Sequence, residues 1–405
     1  MATAPRQAII IGCGIAGPAV ALLCQRAGIA ATIYEAREAP DDYSGLFLNV
    51  ASNGLHVLAT LGLAGEISAE GFACPRMQLW NGGGKLLGEM RNGAAPGQGA
   101  ASVVMKRAAL QRILREAALR AGIPIMFGKQ LSAIDTAEPG RVVARFEDGS
   151  TAAGDLLIGC DGIHSRTRQL LGQGAPAPSY TGLISSGGFA RVGGLAPTPE
   201  TQHFIFGARA FFGYLVKPDG EVYWFNNLAA PADHGRPEAF SQAAWRQQLL
   251  DIHRADQPLI GAIIGATEGP IGRYPIYDIP TLPRWHAGRV ALVGDAAHAT
   301  SPSAGQGAAL ALEDALTLVQ CLRDLPAPEQ AFAAYEQLRR SRAERVVKYS
   351  RQTGSMKAAG NPLARWLRDQ MVPLFLKRLA SPRSLDWLYG YAVDWDAPAT
   401  PLGSA

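Results

Sequence analysis

Ile9-Ile10-Ile11-Gly12-Cys13-Gly14-Ile15-Ala16-Gly17 stands close to the start of the chain. A β-branched run meets a glycine turn, and an alanine- and leucine-rich segment follows. The pattern predicts a buried parallel strand, a tight turn and a helix. Gly12 permits the turn, Gly14 lets backbone approach a pyrophosphate, and Gly17 lets the helix pack close to the strand. The helix start at Ile15 and Ala16 offers unpaired N–H groups and a positive dipole end to phosphate. Pro18 falls in the first turn, where its missing N–H costs little. The helix is expected to stop near Ala27-Gly28, and Ala31-Thr32-Ile33-Tyr34 reads as the second strand. Glu35 ends it, 23 positions after Gly12 (35 − 12), where an acid would meet ribose hydroxyls. The glycine pattern alone fits any tight strand-to-helix turn. Strand, helix and acid in register make a dinucleotide the expected ligand.

A chain of 405 residues allows two domains or one elaborated domain. Its 48% hydrophobic content suits a sizeable globular core. The net charge of +4 is small, and no Lys/Arg cluster is interleaved with aromatics, so nucleic acid is not expected. No apolar run reaches membrane-span length, and the glycines interrupt any signal-like segment at the N-terminus. Five scattered cysteines without a CxxC point to a reduced cytoplasm. Seven histidines without paired-ligand spacing leave metal unsupported.

Further along, Ser52 is placed to cap a helix over residues 53–61. Residues 77–90 read as a hairpin turning at Asn81-Gly82-Gly83-Gly84, and residues 92–101 as a flexible connection. A strand at residues 102–105 leads into a helix from Arg107 to Ala121 with Leu110, Ile113 and Leu114 on its apolar face. Residues 141–154 form a second hairpin pattern, and residues 155–159 a buried strand. From about Tyr180 to Ile279 the texture changes to short aromatic-rich runs, an antiparallel sheet interrupted by a helix from Ala239 to His253. After Gly305 nearly everything reads as helix, broken at Pro326, Pro328, Pro362, Pro373 and Pro382.

Two further stretches carry chemistry. Asp161-Gly162-Ile163-His164-Ser165-Arg166-Thr167-Arg168 ends a buried strand; by itself it is a turn with a solvated basic pair opening a helix. Val290 to Gly294 is a strand, followed by Asp295-Ala296-Ala297-His298, a Pro/Gly loop from Pro302 to Gly305, and a helix starting near Gln306-Gly307-Ala308. An acid at a strand end can bind a ribityl or ribose hydroxyl. Gly305 and Gly307 allow backbone to approach a flat ring, and the helix start favours negative charge on it.

Together these pieces resemble the para-hydroxybenzoate-hydroxylase-like, class A FAD-dependent monooxygenases. The family's GxGxxG stands here as Gly12/Gly14/Gly17, its DGxxSxxR as Asp161/Gly162/Ser165/Arg168. Its third motif stands as Gly294-Asp295-Ala296-Ala297-His298, Pro302, Gly305-Gln306-Gly307 and Asp314-Ala315. The order and spacing are family-like over residues 7–349. The resemblance implies a mixed α/β fold: a Rossmann-like FAD-binding domain, an inserted mostly antiparallel substrate sheet and a helical C-terminal segment. The expected boundaries are 1–73, 101–178 and 284–360 for FAD, 74–100 and 179–283 for substrate, and 361–405 for the last segment. It implies that Glu35, Ala36, Arg37 and Arg107 lie along the adenosine ribose and pyrophosphate, and that Asp295 holds the ribityl chain. Pro302, Gly305, Gln306, Gly307 and Ala308 would face the isoalloxazine, and Asp161-Gly162 is tied to FAD and NAD(P)H binding.

The implied cofactors are noncovalent FAD with NADPH or NADH as cosubstrate. The implied reaction uses O2 to hydroxylate or epoxidise an aromatic or polycyclic small molecule through a flavin C4a-hydroperoxide. Two departures stand out. His164 replaces the larger aromatic or Arg common in relatives, and Ala308-Ala309 follows Gln306-Gly307 where an Asn is common. No catalytic acid or base is assigned, and His298 reads as structural. The inserted sheet is the expected pocket roof, with Phe189, Arg191, Phe204, Phe206, Phe212, Tyr214, Tyr223 and Trp224 as candidates and Arg191, Phe206, Tyr214 and Trp224 foremost; alternation puts about half of such residues in the core. An aromatic pocket with few charges is expected. A same-fold reductase or halogenase is the alternative, although Tyr223-Trp224-Phe225-Asn226-Asn227 lacks the halogenase WxWxIP signature. A non-catalytic FAD-binding redox sensor is a third. The protein is expected to be a monomer or homodimer.

Overall fold

The computed structural model describes residues 6–41, 45–95, 97, 99–172, 175–230, 241–279, 281–355, 357, 361–379 and 384–399. Strand β1 (Gln7–Ile11), helix α1 (Ala16–Arg26) and strand β2 (Ala30–Tyr34) form the expected βαβ unit. β1 lies inside a six-stranded sheet, paired in parallel with β2 on one side and Leu156–Gly159 on the other. Val290–Leu292 extends the sheet in parallel beyond Leu156–Gly159. Such strands are covered on both faces, which is why their sequences run apolar without alternation. Ala8 and Ile10 meet α1 and the long helix Gly307–Asp324 in the largest core cluster. Ile9 and Ile11 face the other way, onto Val142, Ala144 and Phe146 of a three-stranded antiparallel sheet.

A seven-stranded sheet stands beside this unit. It combines the strands between Ser179 and Asp278 with the hairpin Arg76–Asn81 and Leu86–Arg91, whose first strand pairs in parallel with Thr201–Phe206. Ile205, Phe212, Val222 and Trp224 point to one face, beneath the helices Gln242–Ile252 and Pro258–Gly265. Phe204, Phe206, Phe211 and Phe225 point to the other face, toward the FAD-type unit.

Several expectations are corrected. Ser52 does not cap its helix (Ser52–Thr60) from outside; its Oγ donates to Ala100 O and accepts from Ala94 N. These bonds, with Asn92 Nδ2 donating to Cys74 O and a Gly93–Ala101 bridge, pin the connection at 92–101 that composition alone makes flexible. The helix expected from Ala239 starts at Gln242, capped by Ser241, and residues 231–240 lie outside the described ones. Pro373 sits inside the helix Pro362–Leu379 instead of breaking it. Val372 and Leu376 pack on Met77, Leu79 and Leu87, so tertiary contact carries the helix across the proline. Pro382 lies outside the described residues. Among the described residues no helix is long and apolar enough to cross a membrane, and no His/Cys/Asp/Glu cluster could hold a metal ion.

Candidate active site

The C-terminal ends of β1, Leu156–Gly159 and Val290–Leu292 open onto one continuous cavity of about 1430 Å³. Single small-molecule pockets run to about 1,000 Å³, so this one has room for a dinucleotide and a second molecule. Gly14, Ile15, Ala16, Arg107 and Gly162 line one end, and Phe204, Phe206, Phe211 and Phe225 the other. Asp295 and residues 302–308 lie along it between the two.

The glycine turn is shaped for close approach. Gly12 has φ +102°, and a Cβ there would stand 2.6 Å from Cys160 O. A Cβ on Gly17 would stand 1.9 Å from Gly12 O, a backbone collision, so α1 can pack this close only as glycine. Gly14 by contrast meets nothing nearer than Gln111 Nε2 at 3.9 Å and is open to the cavity. Glu35 stabilises the turn from behind: Oε2 accepts from Cys13 N at 2.6 Å and Oε1 from Arg37 N at 3.0 Å. Ala36 and Arg37 are exposed, and Arg37 pairs with Asp41 at 3.5 Å outside the cavity lining.

The second motif works as a clasp. Asp161 accepts from Ser165 Oγ, Thr167 N and Thr167 Oγ1, so its carboxylate is turned into its own loop. Arg168 is buried and not solvated as expected from its surroundings in sequence. Its guanidinium donates to Ile163 O and, at 3.0 Å, to Ala296 O. The loop at 161–168 is thereby tied to the one-turn helix Asp295–His298.

Asp314 is the matching anchor on the long helix. Fully buried, it accepts from Gly294 N (3.1 Å), His298 Nε2 (2.5 Å) and Arg339 Nε (2.8 Å). Burial opposes its ionisation, but His298 and Arg339 more than cancel that and hold its carboxyl down at about 2. His298 is thus a structural residue, as its motif position suggests. Glu313 receives Arg339, Arg342 and Asn53 Nδ2, and the same Asn53 amide donates to Gln306 Oε1. Gln306 and Asp295 are therefore set in place through one buried polar network.

Asp295 differs from every other acid in this network. It is enclosed by the fold yet open to the cavity, and no described residue hydrogen-bonds its carboxylate. Burial pushes its carboxyl upward, with Arg107 and His298 pulling it back. Gly294 has φ +63°, and a Cβ on it would come within 2.9 Å of Ala311 Cβ. Gly305 has φ +62°, closing the 3-10 turn Pro302–Ala304, and Gly307 opens the long helix. Buried Gln306 Nε2 and Ser303 Oγ along this wall have no partner among the described residues.

At the aromatic end, Phe206 lines the cavity, but Arg191, Tyr214 and Trp224 do not. Trp224 donates to Thr267 Oγ1 and stacks on Phe212, on the helix-covered face. Tyr214 stacks on His203, and exposed Arg191 donates to Asp219 O. Sheet register decides this: both faces are apolar, and the alternation cannot say which one is covered by helices. The wall is also more basic than expected. Lys357, at the end of the segment expected to serve FAD, and Arg365 and Arg368, from the C-terminal helical segment expected to stand apart from the site, all reach it. No local pattern announces them.

The match to known proteins agrees with this geometry. A family model described as FAD binding domain matches residues 6–350. The chain belongs to the class A FAD-dependent monooxygenases. This monooxygenase is 31% identical to aurachin C monooxygenase/isomerase of Stigmatella aurantiaca over 90% of this chain and 93% of that one. It is 30% identical to 3-amino-4-hydroxybenzoate 2-monooxygenase PtnB3 of Streptomyces platensis, covering 99% and 98%. Klebsiella pneumoniae HpxO, solved with FAD and uric acid, superposes with a TM-score of 0.83 at 26% identity, covering 94% and 97%. The enzyme uses FAD with NAD(P)H and O2. Its residues fit that group: a glycine cradle a Cβ would fill, an unpartnered acid, and the orphaned amide and hydroxyl of Gln306 and Ser303.

Proposed function

We propose that this monooxygenase hydroxylates a small aromatic molecule seated between the phenylalanine wall and residues 302–307. The carrying observation is the continuity of the cavity: dinucleotide cradle and aromatic chamber are one space. In this reading residues 1–73, 101–178 and most of 284–360 serve the cofactor, and 74–100 and 179–283 serve the substrate, joined on the chamber wall by Lys357, Arg365 and Arg368. The relatives support an aromatic substrate, since one acts on 3-amino-4-hydroxybenzoate and another on 6-hydroxynicotinate.

Bound FAD supplies the redox chemistry, taking electrons from NAD(P)H and delivering one atom of O2. The chain's own contributions follow from the site. N–H groups of the turn at Gly14, Ile15 and Ala16 bind the pyrophosphate. Asp295 accepts from ribityl hydroxyls. The N–H groups at the start of the long helix would stabilise negative charge developing on a flavin ring held against them. Phe204, Phe206, Phe211 and Phe225 orient a flat ring and exclude water. A reducing cytoplasm completes the reading: all five cysteines are unpaired, and burial pushes the Cys13, Cys24, Cys74 and Cys321 thiols up to about 12.

The test is to purify the yellow protein and follow NADH and NADPH oxidation with a panel of phenols, benzoates and hydroxylated N-heteroaromatics under 18O2. One labelled oxygen in a product is expected. A flavin-loaded enzyme that neither accelerates nor labels with any of them would refute the proposal.

A further inference from the structure

Lys357 is a cation in an aromatic chamber without a matching anion. Its Nζ lies 4.7 Å from the Phe211 ring centre and 5.5 Å from that of Phe225. It donates to Asn227 Oδ1 at 3.1 Å. Asn227 is buried, and its Nδ2 donates to Ser185 Oγ and Asn226 O, which turns Oδ1 toward the lysine. No carboxylate of a described residue pairs with Lys357, and burial pulls its ammonium down to about 7. An ammonium has three donors; Asn227 takes one. The neighbouring arginines are engaged elsewhere: Arg365 donates to Ala208 O, and Arg368 donates to Phe206 O and pairs with Asp369.

Charge inside a protein is retained where something pairs with it. Lys357 lacks such a pair among the described residues, which is why burial lowers its pKa, and an anion entering the cavity would supply the partner that restores the charge. Lys357 and Ser303 of the 302–307 loop line the same cavity.

We propose that Lys357, presented by Asn227, is the specificity-determining residue that captures an oxyanion, carboxylate or phenolate, on the aromatic substrate. The proposal rests on the aromatic-substrate reading above and adds the group that selects among aromatics. Phe211 and Phe225 hold the ring beside the ammonium, and the anion takes the donors that Asn227 leaves open. Charge-assisted bonds of this kind are about twice as strong as neutral ones, so a neutral isostere binds measurably worse.

The experiment uses the FAD-loaded enzyme and needs no turnover. Flavin absorbance changes report binding of matched pairs: benzoate against benzamide, 4-hydroxybenzoate against 4-hydroxybenzamide, and 4-nitrophenol against 4-nitroanisole. The wild type is expected to favour the anion by about tenfold or more in at least one pair. Lys357→Met should bring that pair to near equality with the neutral member unchanged, while Lys357→Arg keeps the preference. The first two pairs report a carboxylate and the third a phenolate. Equal or better binding of the neutral members, no binding of any anion, or a preference surviving in a flavin-loaded Lys357→Met would overturn the proposal. An enzyme that shows the lysine-dependent preference yet oxygenates nothing would instead refute the hydroxylation reading alone.

Discussion

Asparagine at position 314 keeps the shape of the buried acid and deletes its charge. In the wild type that carboxylate meets Gly294 N, His298 and Arg339 within 3.1 Å. Its pKa is held near 2, against 3.8 for the ordinary side chain. The depressed value means that ionised Asp314 stabilises the folded state above the unfolded pKa, and that this stabilisation fades as pH falls toward the folded one. A difference of nearly two units corresponds to about 2 kcal/mol at neutral pH and about 1 kcal/mol at pH 3. That is a sizeable share of the roughly 5–15 kcal/mol holding a typical domain together. The assay is urea unfolding of wild type and Asp314→Asn from pH 7 down to pH 3, read as the difference between the two. The gap should be widest at neutral pH and shrink on acidification. FAD should also dissociate more readily from the variant, because Gly294 and His298 flank Asp295 on the one-turn helix. A gap below about 0.5 kcal/mol at pH 7, or one that widens toward pH 3, would refute the anchor argument.

Three other outcomes are expected. Asp295→Ala should fold about as stably as the wild-type apoprotein, since the carboxylate it removes is exposed to the cavity and no described residue hydrogen-bonds it, but should purify nearly colourless; the ratio of flavin to protein absorbance decides it, and full flavin loading would show that the acid has another role. Gly307→Pro at the first position of the long helix deletes one N–H, so dye equilibration should find the flavin potential more negative, by about 10 mV for a loss of roughly 0.5 kcal/mol. Anaerobic stopped flow should find slower reduction by NAD(P)H, and an unchanged potential and rate would remove that loop from the flavin edge. Heat or acid precipitation should release FAD into the supernatant; flavin remaining with the pellet would mean a covalent link.

The cofactor end was legible in the sequence because its chemistry is local. Gly12, Gly14 and Gly17 sit within a few residues of one another, and the collisions a Cβ would make involve backbone of the same turn or of the adjacent strand. Asp295 and Gly305-Gln306-Gly307 likewise follow one strand directly. Strand and helix periodicity then placed the elements that carry them. What tertiary structure alone decided is the partnership among distant residues: Arg168 with Ala296, Asp314 with Gly294 and His298, and Asn53 with Gln306. It also decided which face of the inserted sheet is the chamber wall. Phe212 and Trp224 alternate with Phe211 and Phe225, and both sets are aromatic, so period two yields two faces without saying which is covered by helices. Lys357 was beyond reach for a related reason. It joins the phenylalanines only because the C-terminal end of the helix Pro328–Ser355 lies beside the strands that carry them, and nothing in its neighbours' side chains encodes that placement.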